Sequence, residues 1–182
     1  MNYLVKVGEG LGFLVKGRES VYVITAASLL PELPPVGSLD IYDRILGKFV
    51  GAIDGPQDVD AEILYVDLIS GIAVLGFPRG YYQMHTDTKI EELFKQTTLV
   101  DVLRPPQPLE GDIGISFFLA HASTRKVRIC SQNGTLHIID PSPTKALIGA
   151  PITTKYKGPS AIGVVTNPTS LNDSMARLRG GA

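Results

Sequence analysis

The side chains of this chain that could do chemistry are few and scattered. Cys130 is the one thiol, so no internal disulfide can form. It ends the apolar-alternating run from Val127 and reads as a small buried side chain. His85, His121 and His137 stand at no ligand-like spacing, and no Cys/His pair has zinc spacing. Asp54, Asp58, Asp60 and Glu62 offer oxygens of the kind a hard cation takes, but their order is not that of a helix-loop-helix calcium loop. The expectation there is a solvated acidic turn. Asp67 suits capping of a turn, and Arg125, Lys126 and Arg128 read as a solvated basic strand face. Arg177-Leu178-Arg179-Gly180-Gly181 sets two fixed cations before two residues without side chains, and Ala182 follows. No cofactor and no metal is expected.

The elements that must position these residues read almost wholly as strands. Tyr3 to Val7, Phe13 to Lys16 and Val21 to Ala26 are β-branched or aromatic-rich runs broken by glycine. Pro31 to Gly37 holds three prolines, which lack donors and fix φ, so it reads as a loop. Leu39 to Tyr42, Lys48 to Ile53, Glu62 to Val66 and Ile72 to Phe77 complete a first strand group over 1–80. A connector over 81–98 carries apolar Ile90, Leu93 and Phe94 at the i, i+3, i+4 spacing of a short helix over Thr88 to Lys95. Residues 99–168 hold a second group: Leu99 to Leu103, Gly114 to Ala120, Lys126 to Ser131, Thr135 to Ile139, Pro151 to Lys155 and Ala161 to Thr166. Residues 169–182 are polar and turn-rich, and are expected to form a flexible tail.

The chain has 182 residues, 44% hydrophobic and 19% charged, which suits one large all-β domain or two small barrels. A formal net charge of −1 gives no bulk electrostatic reason for a nucleic-acid or membrane partner. The lone cysteine points to a reducing compartment. With no leader-like start and no apolar run near 18 residues, the expectation is a cytoplasmic protein.

Three segments carry a resemblance. Val23-Ile24-Thr25-Ala26-Ala27-Ser28, Val66 to Leu75 and Ala146-Leu147-Ile148-Gly149-Ala150-Pro151 resemble, in that order, the T-A-A-H, V-D-x-x-x-D-I-A-V-L and G-N-S-G-G-P segments of trypsin-like and HtrA-like serine proteases. Gly10 to Val15 resembles the G-x-G-F-L-V strand before the histidine segment, Asn133 to Asp140 the strand leading to the nucleophile loop, and Ala161 to Thr166 the G-V-V-T strand after it. The resemblance implies two six-stranded β-barrels of the trypsin-like (chymotrypsin-like) fold.

It also implies an empty triad. The histidine position is Ser28, the aspartate position Gly71 and the nucleophile position Ile148, while Asp67 keeps the family's residue four places before the lost aspartate. Serine attack needs a hydroxyl, a base to take its proton and a group to orient the base. Ile148 offers no nucleophile, Ser28 is a poor base, and Gly71 has no side chain. Ala146 and Ala150 replace glycines of the oxyanion loop, where a Cβ restricts positive φ. A pseudoprotease is therefore expected rather than an enzyme.

Arg177 to Gly181 is identical to the last five residues of ubiquitin. That likeness implies processing after Gly181 and activation of its carboxylate. Arg177 and Arg179 would guide docking, and Gly180 and Gly181 would thread a narrow channel. Ala182 would block activation until a peptidase removed it. The partners implied are ubiquitin-activating-like and conjugating-like enzymes and a processing peptidase, in a bacterial ubiquitination-like pathway. A basic chain end or a linker scar reads the same way. Two alternatives stand beside it: a pseudoprotease module that holds an extended peptide in its cleft by strand addition, and a noncanonical hydrolase in which Ser28 is the hydroxyl to watch.

Overall fold

The computed structural model describes residues 3–33, 40, 42–78, 86–102, 113–118, 124–132, 135–140, 147–154 and 160–166. The chain is mostly β. Strands β1 (Leu4–Val7), β2 (Gly10–Lys16), β3 (Val21–Ala26), β4 (Ile45–Ala52), β5 (Gln57–Asp67) and β6 (Ile72–Gly76) close into a barrel in the order β1-β2-β3-β6-β5-β4. Antiparallel pairing of β1 with β4, Val7 opposite Val50, completes the closure and leaves this sheet without an edge. Val5, Val7, Leu14, Val23, Val50, Val59, Ala61, Ile63 and Leu75 belong to the core cluster of the barrel.

Helix α1 (Thr86–Gln96) packs on the outside. Leu93 is buried in the barrel's cluster, and Ile90 and Phe94 are packed against it. Phe94 meets Phe77 edge-on with ring centroids 5.3 Å apart, and Lys89 pairs with Asp58 of β5 at 3.2 Å. The predicted i, i+3, i+4 stripe is thus the face that docks, and the helix extends beyond the expected Thr88 to Lys95 at both ends.

The remaining strands are β7 (Asp101–Val102), β8 (Ile113–Phe118), β9 (Thr124–Gln132), β10 (Thr135–Asp140), β11 (Pro151–Thr154) and β12 (Ser160–Val164). They form a six-stranded sheet in the order β10-β9-β8-β11-β12-β7, with β12 and β7 parallel. A second barrel is the sequence expectation. Among the described residues this is an open sheet, with β10 and β7 at its edges.

Strand β2 lies between the two units, which explains why Gly10 to Val15 are all buried. Leu14 points into the barrel. Leu11, Phe13 and Val15 alternate to the other side, where they share a second core with Ala150, Ile152, Ala161 and Val165. The units are also tied through backbone: Val100 N donates to Leu14 O at 2.8 Å, and Leu11 N donates to Ile148 O at 2.9 Å.

Two expectations change. The segment Leu39 to Tyr42 is not a strand as far as it is described, because Tyr42–Arg44 forms a 3₁₀ turn. The acidic cluster is a turn only at Asp54: Asp58, Asp60 and Glu62 lie on β5, which begins five residues earlier than expected. Val59, Ala61 and Ile63 fill the barrel from the other face of that strand, so period-two alternation places the three carboxylates together outside. Among the described residues no helix is long and apolar enough to cross a membrane.

Candidate functional site

Ser28, Gly71 and Ile148, the positions that the sequence resemblance sets against a triad, lie on turns between strands. After β3 the chain makes a 3₁₀ turn over Ala27–Leu29, closed by Leu30 N donating to Ala27 O at 3.1 Å. Ser28 is the exposed middle residue of this turn. Ala27 N donates to Gly71 O at 2.7 Å, which fastens it to the β5–β6 turn.

That second turn is built by Asp67. Its Oδ1 accepts from Ile69 N at 2.9 Å and Ser70 N at 3.2 Å, and its Oδ2 accepts from Ser70 Oγ at 2.8 Å. The Ser70 hydroxyl and amide, with the Ile69 amide, hold the Asp67 carboxyl below its ordinary pKa. The capping role expected from the sequence is the one observed. A carboxylate stabilised in this way is a weaker base, so the Ser70–Asp67 contact is poorly suited to generate a nucleophile.

Gly71 follows with φ +72°, and a Cβ built there would stand 3.0 Å from Thr166 Cβ. Ser28 Oγ donates to Thr166 O at 3.3 Å. Thr166 therefore touches both positions, from the residue pair that follows β12. Nothing in the local sequence marks this residue, because the contact spans 138 positions in the chain. The three residues line one cleft of about 530 Å³, together with Glu32, Leu33, Leu68, Ile69 and Ser70.

Ile148 does not line that cleft. It lies in a turn over 147–150 that is clamped against the barrel. Its carbonyl accepts from Leu11 N at 2.9 Å, Gly149 N donates to Val165 O at 2.7 Å, and Ala150 N donates to Leu147 O at 2.9 Å. The Gly149 and Ala150 amides are thus spent inside the fold. Gly149 adopts φ +87°, and a Cβ there would come within 1.7 Å of Leu11 O and 2.8 Å of Thr25 Oγ1. Thr25, buried, holds the other side of the contact by donating to Leu11 O at 2.6 Å. Ala146 lies outside the described residues.

The carboxylates of β5 are each engaged separately. Asp58 pairs with Lys89 at 3.2 Å, Asp60 Oδ1 accepts from Lys48 N at 2.7 Å, and Glu62 pairs with Arg44 at 3.3 Å. Among the described residues, no group of three His, Cys, Asp or Glu is placed to hold a metal ion. His137 of β10 stands opposite Cys130 of β9 in the strand register, a juxtaposition that sequence spacing conceals. Arg125, Lys126 and Arg128 lie on β9. His85, His121 and the tail residues Arg177, Arg179, Gly180, Gly181 and Ala182 lie outside the described residues.

No protein-family model matches the chain, and no curated protein sequence matches it. Solved structures do match in chain path. One is an inactive mutant of the murine norovirus NS6 protease with a C-terminal extension that includes residues of NS7: 14% identity, 89% of this chain and 85% of that chain covered, TM-score 0.43. A second with a shorter extension gives 15%, 89%, 83% and 0.43. A chimeric form of the same protease gives 14%, 89%, 84% and 0.42. Likeness at this level carries no argument about activity.

Proposed function

We propose that this chain is a catalytically inactive protein of the trypsin-like kind whose tail is processed after Gly181 and conjugated in a bacterial ubiquitination-like pathway. The observation that carries the reading is the string Arg177-Leu178-Arg179-Gly180-Gly181 followed by Ala182. The body supports it by what it lacks. Ser28 faces a carbonyl oxygen instead of a base, Gly71 has no side chain, and Ile148 is aliphatic.

In this reading a peptidase uses water to cleave the Gly181–Ala182 bond. The freed Gly181 carboxylate attacks the α-phosphate of ATP and releases pyrophosphate. A thiolate of the activating enzyme then displaces AMP to form a thioester, and a nucleophile on the target displaces that thiol. The test incubates the full chain with ATP and the activating enzyme, conjugating enzyme and peptidase of the organism's own ubiquitin-like pathway. Intact mass should show loss of Ala182, then an adduct through Gly181 that Gly181→Asp abolishes. Retention of Ala182 with no adduct overturns the reading.

A further inference from the structure

The β5–β6 turn presents two consecutive large apolar side chains to water. Leu68 is 67% exposed and Ile69 fully so, at 101%. They are not loose: the Asp67 carboxylate bonds fix the backbone of this turn. Covering them therefore costs side-chain freedom but little backbone freedom. Leu68 and Leu33 line both the 530 Å³ cleft and a neighbouring cavity of about 270 Å³, which continues to Leu64 and Tyr65. Leu33, Leu64 and Tyr65 are exposed as well. The result is one apolar strip running across two hollows, a feature that marks interaction sites.

Among the described residues, the unpaired charge at the strip is negative. Glu32 lines the cleft and forms no ion pair among the described residues. Asp67, next to Leu68 in the chain, is held ionised by its turn. Among the described residues the one cation lining the hollows, Arg44, is already paired with Glu62.

We propose that this strip is a docking surface for a segment of a partner protein in which apolar side chains alternate with cationic ones. Leu33, Leu68 and Ile69 take the apolar side chains, and Glu32 with Asp67 takes the cations. The proposal does not depend on the tail reading, since every residue in it belongs to the barrel end.

The test uses the full chain and two fluorescein-labelled peptides, one alternating leucine with arginine and the other alternating leucine with glutamate, read by anisotropy. The arginine peptide should bind about 3–10-fold tighter, a margin that exposed ion pairs can supply. Ile69→Ser and Leu68→Ser, neutral changes at sites where folding is not at stake, should each weaken it about tenfold by removing an anchor without altering the charge. Glu32→Lys should shift the preference toward the glutamate peptide. Equal binding of both peptides overturns the proposal, as does indifference to Ile69→Ser and Leu68→Ser. A wild-type dimer in sedimentation that Ile69→Asp dissociates makes a second copy the occupant and also overturns it. Binding that emerges only in the Arg177→Glu, Arg179→Glu variant makes the chain's own tail the occupant, with the same result.

Discussion

Replacing Gly149 by alanine should cost far more than its size suggests. The residue sits at φ +87°, where a side chain with a Cβ pays about 1–2 kcal/mol. The new Cβ would lie 1.7 Å from the Leu11 carbonyl oxygen, a backbone atom that Thr25 Oγ1 holds in place at 2.6 Å. Relief requires the 147–150 turn to lift from β2. That sacrifices the bonds from Leu11 N to Ile148 O, 2.9 Å, and from Gly149 N to Val165 O, 2.7 Å. At about 0.5–1.5 kcal/mol each, the total loss comes to about 2–5 kcal/mol. Gly47→Ala is the control: its Cβ would meet only Asp60 Oδ1 at 3.9 Å with no positive φ, and should change stability by less than about 1 kcal/mol. Urea unfolding of both variants gives the comparison, and amide exchange at Leu11 should accelerate in Gly149→Ala alone. If the two variants unfold within about 0.5 kcal/mol of each other, the 147–150 turn is not locked to the barrel as described.

Two further outcomes follow from the site. Rebuilding the triad as Ser28→His, Gly71→Asp and Ile148→Ser should yield no hydrolysis of a fluorogenic peptide panel. A side chain at position 71 would be strained at φ +72° and crowded by Thr166 Cβ at 3.0 Å, and Ile148 does not line the cleft that Ser28 and Gly71 share; turnover above the uncatalysed rate would refute this reasoning. The Asp67 carboxyl, lowered from 3.8 by Ser70 and Ile69, should stabilise the fold above the unfolded-state pKa and lose that contribution as pH falls through the lowered folded-state value. Denaturant midpoints measured down from pH 6 should therefore show an acid-side decline that is shallower in Asp67→Asn; identical profiles would contradict the capping role.

The barrel was legible because its strands alternate. Val21 to Ala26 and Ile72 to Phe77 are β-branched and apolar enough to be recognised singly, and the Ile90, Leu93, Phe94 spacing is that of one face of a short helix. The reading of β5 failed at its start for an identifiable reason. Asp58, Asp60 and Glu62 look like a turn when counted as charges, whereas Val59, Ala61 and Ile63 between them are the barrel core. Alternation was present, but composition outweighed it.

For the site, residue types alone gave positions 28, 71 and 148 a hydroxyl, a hydrogen and an aliphatic chain; that these positions answer to a triad is what the resemblance implies. Residue types also supplied the tail string and the capping role of Asp67, because both are local. Tertiary structure alone decided that Thr166 lies against Ser28 and Gly71, that Ile148 is pinned to Leu11 away from their cleft, and that Leu68 and Ile69 face water. These depend on contacts between residues far apart in the chain, and on which side of a turn ends up uncovered. Local preference does not encode either one. It is the closure of the barrel and its packing through β2 against the second sheet that place them.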